Sequence, residues 1–209
     1  MSPPLAQPAG RAEPRPGPDA RAPGRLALLY APRAAVIVGG IPGAGKSTLL
    51  ARVVRAGDAR VLDSAEVRER CRARLGRGVP YPLYRPVVHA VHLWRVWRAL
   101  GAGGPVVVHD CATRPWLRRA MLTRARRAGR PVSLLLLHVD ADVARHGQVL
   151  RGRRVRARAM RRHERRWRRV VGPGSPPRPS AVALREGFDD VLVLDRAGAD
   201  AVQRIRFAR

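Results

Sequence analysis

Apolar residues in this chain fall into short unbroken runs, separated by longer stretches in which they recur at helical spacing. The runs are Ala34–Val38, Arg60–Leu62, Val106–His109, Val132–Val139 and Val191–Leu194. A continuous apolar run of strand length suits a strand covered on both faces, because both of its sides meet core. Between the runs, the spacing predicts helices over Lys46–Arg55, Ser64–Leu75, Val87–Leu100, Trp116–Ala128, Ala141–Arg151 and Arg154–Val171. Strand and helix in alternation predict an α/β domain, a parallel sheet with helices on both faces. Ligands of such sheets sit beyond the carboxyl ends of the strands. The polar residues that follow each run are therefore the candidates for chemistry.

The first run ends in Gly39 and leads into Gly40-Ile41-Pro42-Gly43-Ala44-Gly45-Lys46-Ser47, then Thr48. This is G-x-x-x-x-G-K-[ST] between a strand and a helix, the context a phosphate-binding loop requires. Loop N–H groups point at an anion and the helix N-terminus adds partial positive charge. Lys46 is placed to reach the β and γ phosphates, and Ser47 to put its hydroxyl on Mg²⁺. Thr48 is the next hydroxyl and supports the helix start. Lys46 is also the only lysine of the chain; the other basic residues are all arginine. A compact ammonium can follow a moving phosphate where a planar guanidinium is held to its fork geometry.

After the second run come Asp63, Glu66 and Arg68. One reading is a helix start, with Asp63 or Ser64 as cap and Glu66 in the first turn. The other makes Asp63 or Glu66 the carboxylate that takes a hydroxyl proton, with Arg68 holding an anionic part of the acceptor. After the third run come Asp110, Thr113 and Arg114. Asp110 fits the strand-end carboxylate that holds a Mg²⁺ shell, with Asp140 as its rival and turn capping as the plainer role. Thr113 and Arg114 lie on the loop facing the site, while His109 reads as a core histidine. Further on, Gln148–Arg154 joins two helices through Gly152, as a closing lid would, and Arg151, Arg153 and Arg154 are candidates for neutralising charge on a transferring phosphoryl. A lid-like segment near 148–170 follows.

Composition widens the question of partners. The net charge is +27 over 209 residues, and 11 of the 19 residues from Arg151 to Arg169 are arginine. Val155, Ala159, His163, Trp167 and Val171 form one narrow stripe on that basic helix, which reads as its buried face. Its remainder is a solvated face or a contact for nucleic acid. Two cysteines without metal-ligand spacing read as reduced thiols of a cytoplasmic protein. Residues 1–25, rich in Pro, Ala and Arg, read as a disordered arm with no apolar leader, and 26–209 as the domain. No apolar stretch is long enough to span a membrane.

On Gly40–Ser47, Asp63–Arg68, the strand ending at Asp110, Gln148–Arg154 and Phe188–Arg196, the chain resembles the small P-loop kinases of the AAA-33 type, including polynucleotide-kinase-like and actinobacterial-type ATP-binding proteins. The resemblance implies a three-layer P-loop fold, a five-stranded parallel sheet of order 2-3-1-4-5, and ATP with Mg²⁺. It implies an ATP-dependent phosphotransferase with a small-molecule or polynucleotide acceptor; the other reading is a nucleotide-binding switch or nucleic-acid-associated ATPase. Relatives carry D-x-x-R after the second strand, whereas Ala65 stands three before Arg68 here.

Overall fold

The computed structural model describes residues 26–76, 78–150 and 155–208. Along them run β1 (Leu26–Tyr30), β2 (Ala35–Gly39), α1 (Lys46–Val53), β3 (Arg60–Asp63), α2 (Ser64–Leu75), α3 (Tyr81–Gly101), β4 (Val106–His109) and α4 (Pro115–Arg127). They continue as β5 (Val132–Leu137), α5 (Ala141–Val149), α6 (Ala157–Trp167), α7 (Ala181–Arg185), β6 (Asp190–Leu194), α8 (Arg196–Ala201) and β7 (Val202–Phe207). Five strands form a parallel sheet in the order β3-β4-β2-β5-β6, flanked by helices. Numbered among themselves along the chain, these five read 2-3-1-4-5. Every residue of β2 and β5 is buried, as the unbroken apolar runs require of interior strands.

Several elements depart from the sequence expectation. β1 and β7 pair in a separate two-stranded parallel sheet. Both are half-exposed: β7 mixes buried Val202 and Ile205 with polar positions and has no apolar run, whereas Leu26–Tyr30 is apolar throughout yet buries only Leu28 and Tyr30 and leaves Ala27 and Leu29 exposed. The third helix starts at Tyr81 rather than Val87 and contains Pro86. Proline signals a helix boundary, but Pro82 sits in the first turn, where no N–H is needed, and packing of Tyr84 and Val88 on Val67 of α2 holds the turn. The basic helix is shorter than expected, because Val155 N–H is captured by the Gln148 side chain at 2.9 Å instead of entering the helix. Short α7 and α8 were not expected. Of the predicted stripe, Trp167 and Val171 are buried and Val155, Ala159 and His163 half-buried. The arm before Leu26 and the lid arginines Arg151, Arg153 and Arg154 lie outside the described residues. Among those described, no helix is long and apolar enough to cross a membrane.

Among the described residues, two arginines are buried. Arg118 of α4 is 1% exposed. Its Nε donates to Glu186 Oε2 at 2.7 Å, its Nη2 to Glu186 Oε1, and its Nη1 to the Ala112 carbonyl. Ala112 has φ 51°, the left-handed region, in the loop between β4 and α4. Arg130, after α4, instead donates to the carbonyls of Arg33, Ala99, Ala102 and Gly104. Removing one partner of a buried pair strands the other charge. Arg118→Ala is expected to destabilise the fold by about 3–5 kcal/mol in denaturant titration. Replacing both members by apolar residues of similar volume should recover most of that loss. A loss from Arg118→Ala no larger than the ~1 kcal/mol of a surface pair would mean the pair is not structural.

Candidate functional site

The loop between β2 and α1 is shaped by close approach. Gly43 has φ 95°, and a Cβ there would lie 2.0 Å from the Ala144 carbonyl oxygen of α5. A Cβ on Gly39 would meet Ala112 Cβ at 2.7 Å and Leu136 Cδ2 at 2.8 Å, so a glycine lets the β4–α4 loop lie against the end of β2. That loop is tied down further: Gly40 N–H donates to the Cys111 carbonyl at 3.2 Å, and Asp110 N–H to the Val38 carbonyl at 3.2 Å. Gly45, the residue before α1, offers no side chain to the first-turn N–H groups, which leaves those donors for an anion. Lys46 is buried, with Nζ donating to the Gly40 carbonyl at 2.7 Å and the Ile41 carbonyl at 3.1 Å. Ser47 and Thr48 are exposed on the first turn of α1.

The carboxylates divide by what already holds them. Asp63 Oδ1 accepts from Ala65 N–H at 2.8 Å, the capping role read from the sequence. Its Oδ2 stands 2.6 Å from His109 Nδ1, so His109 is a carboxylate partner rather than a plain core histidine. Burial pushes the Asp63 carboxyl up, but the His109 imidazole, Ala65 N–H and His92 together outweigh it and hold the pKa below the usual value. Glu66 instead pairs with Arg95 at 2.8 Å and Arg70 at 2.6 Å. Arg68 lies over the Tyr81 ring, 4.2 Å from its centroid. Both α2 side chains expected at the acceptor are thus engaged with their own helix or α3. Asp63 shares with Ser47 a cleft of about 290 Å³ walled by Leu50, Ala51, Val54 and Val61.

Asp110 caps its own turn, its Oδ1 accepting from Ala112 N–H at 2.7 Å. It also lies within the field of the loop: Lys46, Asp110 and Arg114 all act on the Cys111 thiol, which burial pushes up, and on the His163 imidazole. Asp140 is exposed ahead of α5 without a capping bond. Thr113 is buried, so the loop presents Arg114 and not Thr113 to solvent. Ser47 and Asp110 carry oxygens of the kind that Mg²⁺ accepts, an ion that keeps its waters and phosphate oxygens and takes only one or two protein groups. Among the described residues no group of three or more His, Cys, Asp or Glu is arranged to hold a metal by itself.

Two side chains at this site carry no motif signal. Gln148 is buried; its Nε2 donates to the Pro42 carbonyl at 2.8 Å while its Oε1 accepts from Val155 N–H. It fastens the phosphate-binding loop to the segment that enters α6. His163, read from the sequence only as part of the stripe, lies near Lys46, Asp110 and Arg114, and its Nδ1 is buried without a hydrogen bond. A polar residue on a helix stripe was the only available signal.

The AAA domain family of the AAA-33 type matches residues 36–173. A provisionally assigned kinase of Chloroflexus aurantiacus aligns with 80% of this chain and 87% of its own at 16% identity and a TM-score of 0.56. A gluconokinase from Sinorhizobium meliloti aligns with 82% of this chain and 93% of its own at 15% identity and a TM-score of 0.49. At such identity the first of these shows the shared fold alone. No curated protein matches the chain.

Histidines surround the site, and their titration has a definite sign. Burial is the main cause lowering the pKa of His92 and His163; the Asp110 and Asp63 carboxylates oppose it at His92, and the Arg166, Lys46 and Arg114 cations add to it at His163. The folded chain therefore binds fewer protons than the unfolded chain between their depressed values and the ordinary value of about 6.5. Stability from these groups is complete above that value and is lost as pH falls below it. Asp63, with its lowered pKa, acts only in the more acidic carboxylate range. The melting temperature is expected to drop from pH 7 to pH 5, and His92→Phe should flatten that drop. A pH-independent melting temperature would contradict the burial of neutral imidazoles here.

Proposed function

The chain belongs to the AAA domain family of the AAA-33 type, and on that premise we propose that it is an ATP-dependent phosphotransferase acting on a hydroxyl acceptor. The observation that carries the reading is that the Lys46 loop, Ser47 and Asp63 converge: the loop lies at the carboxyl end of β2, and Ser47 and Asp63 open on one cleft. The N–H groups of Gly43–Thr48 and the Lys46 ammonium would hold the phosphates of ATP, with Ser47 and Asp110 as the ligands offered to Mg²⁺. Bound there, ATP with Mg²⁺ would supply the phosphoryl group and positive charge against its developing negative charge.

The chain's own contribution is positioning and electrostatics. Lys46 Nζ exchanges the Gly40 and Ile41 carbonyls for phosphate oxygens. Asp63 accepts the proton of the acceptor hydroxyl at Oδ2, and the His109 imidazole beside it keeps that carboxylate ionised and oriented. Glu66 is already held by two guanidiniums and is the second candidate for that role. Arg114 stands on the loop where acceptor or phosphate anions would pass. Gln148 couples the loop to the segment leading into α6, and Arg151 and Arg154 on that segment are assigned to the transferring charge. Arg68 has a structural contact with Tyr81 and is left a secondary role at the acceptor.

The test combines labelling with transfer. Lys46 is the only side-chain amine of the chain. ATP with Mg²⁺ is expected to protect it from an amine-specific reagent while the N-terminal amine reacts as before; equal labelling with and without ATP removes the phosphate-loop reading. Transfer from ATP is then screened against nucleosides, 5′-hydroxyl oligonucleotides, sugars and aminoglycosides, with hydrolysis measured alongside. Asp63→Asn should lower kcat by roughly 10²–10⁴-fold, the range of a lost general base. Asp110→Asn keeps an acceptor for Ala112 N–H and should reduce turnover with little change in melting temperature. If Glu66→Gln costs more turnover than Asp63→Asn, the assignment of the base is wrong.

A further inference from the structure

Three of the four tryptophans of the chain are on the surface. Trp94, Trp97 and Trp116 are 57%, 47% and 59% exposed, while only Trp167 is buried. Trp94 and Trp97 belong to α3 and Trp116 to the first turn of α4, and the two helices pack side by side. Exposed Leu83, Val87 and Val91 continue the same side of α3, since they precede Trp94 at helical spacing. An apolar face of this extent is rarely left bare without a partner.

Its chemistry narrows the partner. The Arg98 guanidinium lies over the Trp94 ring, 5.0 Å from the centroid, and that of Arg124 lies 5.6 Å from the Trp97 centroid. Arg124 also donates to the Trp97 carbonyl, which fixes the two helices in register. Neither α3 nor α4 contains an Asp or Glu. Of the carboxylates flanking them, Glu66 is paired with Arg95 and Arg70, and Glu186 is buried against Arg118. Flat rings among cations, with no competing anion, form a platform on which bases stack while phosphates meet guanidiniums. The face begins beside the phosphate-binding loop, because Arg114 immediately precedes α4 and acts on the same groups as Lys46. A second copy of this chain would instead bring two carboxylate-free faces together in a molecule of net charge +27. We propose that the outer face of α3 and α4 is a docking surface for single-stranded nucleic acid, with Trp94, Trp97 and Trp116 as stacking positions. This surface is distinct from the arginine-rich side of α6, and it does not depend on the phosphotransferase reading.

The test compares two ligands of equal charge for the full chain at one salt concentration: a thymidine oligonucleotide and an abasic strand of the same length. Phosphate contacts alone would treat them alike. Stacking predicts roughly tenfold or more tighter binding of the thymidine strand. Trp94→Ala, Trp97→Ala and Trp116→Ala together should abolish that gap and leave abasic binding in place. The three Phe substitutions keep a ring, so they should retain most of the gap and serve as the control for folding. Arg161→Gln, Arg165→Gln and Arg168→Gln, on α6 and the residue that ends it, should leave the gap intact. Equal affinity for the two strands overturns the proposal, as does loss of the gap in the α6 variant. Anionic vesicles that bind more tightly than either strand through the same tryptophans would reassign the face to lipid. A concentration-dependent dimer dissolved by the Ala variant, with no preference for thymidine, would reassign it to a second copy.

Discussion

Much of this molecule hangs on one guanidinium. Arg118 is closed off from solvent, shares a fork with Glu186, and gives its remaining donor to the Ala112 carbonyl. Those contacts join α4, the segment after α7, and the loop that follows β4. Ala112 is held in a left-handed conformation that a residue with a side chain adopts only under constraint. Its methyl then lies 2.7 Å from where a Cβ on Gly39 would be, so the glycine lets the end of β2 and the loop carrying Asp110 come into contact. The distance from a buried ion pair to the candidate chemistry is thus two residues of chain. A buried pair is a weak source of net stability compared with apolar packing, but it is strict about geometry, and geometry is what this loop needs.

The excess of cations has a structural consequence throughout the fold. With 15 acidic residues against 42 basic ones, carboxylates cannot partner every arginine that the core takes in. Arg118 receives one of the few available; Arg130 is satisfied by four backbone carbonyls instead, two of them at the end of α3. Elsewhere the carboxylates are spread over caps and ties. Asp195 accepts from Gly198 N–H, Asp189 from Val132 N–H, and Asp58 pairs with Arg204 to link the turn after α1 to β7. Within this allotment Asp63 and Asp110 each spend one oxygen on the turn that follows their strand, and Asp63 gives its other to His109. The remaining positive surface attracts anions, and only its aromatic part on α3 and α4 adds a feature that phosphate alone would not select.

The phosphate-binding loop shows how tightly local and distant constraints are joined. The glycines and Lys46 are a local signal, but Gly43 has its place because α5 passes within a Cβ of it, and Gln148 of α5 holds the Pro42 carbonyl. The entry to α6 is therefore attached to the loop through one amide side chain.

The sequence by itself determined the five-stranded parallel sheet, because strands buried on both faces must be continuous apolar runs, and it determined the phosphate-binding loop, because its glycines, lysine and serine are adjacent in the chain. Helix α2 was legible to its ends, since Asp63 caps it and Gly76 follows it. What depended on tertiary structure was everything set by partners far apart in sequence. β1 and β7 are half-exposed strands whose pairing partners lie at opposite ends of the described chain. The partners that engage Asp63 and Glu66, His109 and Arg95, are not near them in sequence, and His163 and Gln148 reached the site only through the packing of α5 and α6. Periodicity reports which side of an element is buried; it carries no information about what that side meets, and that is decided when the layers close.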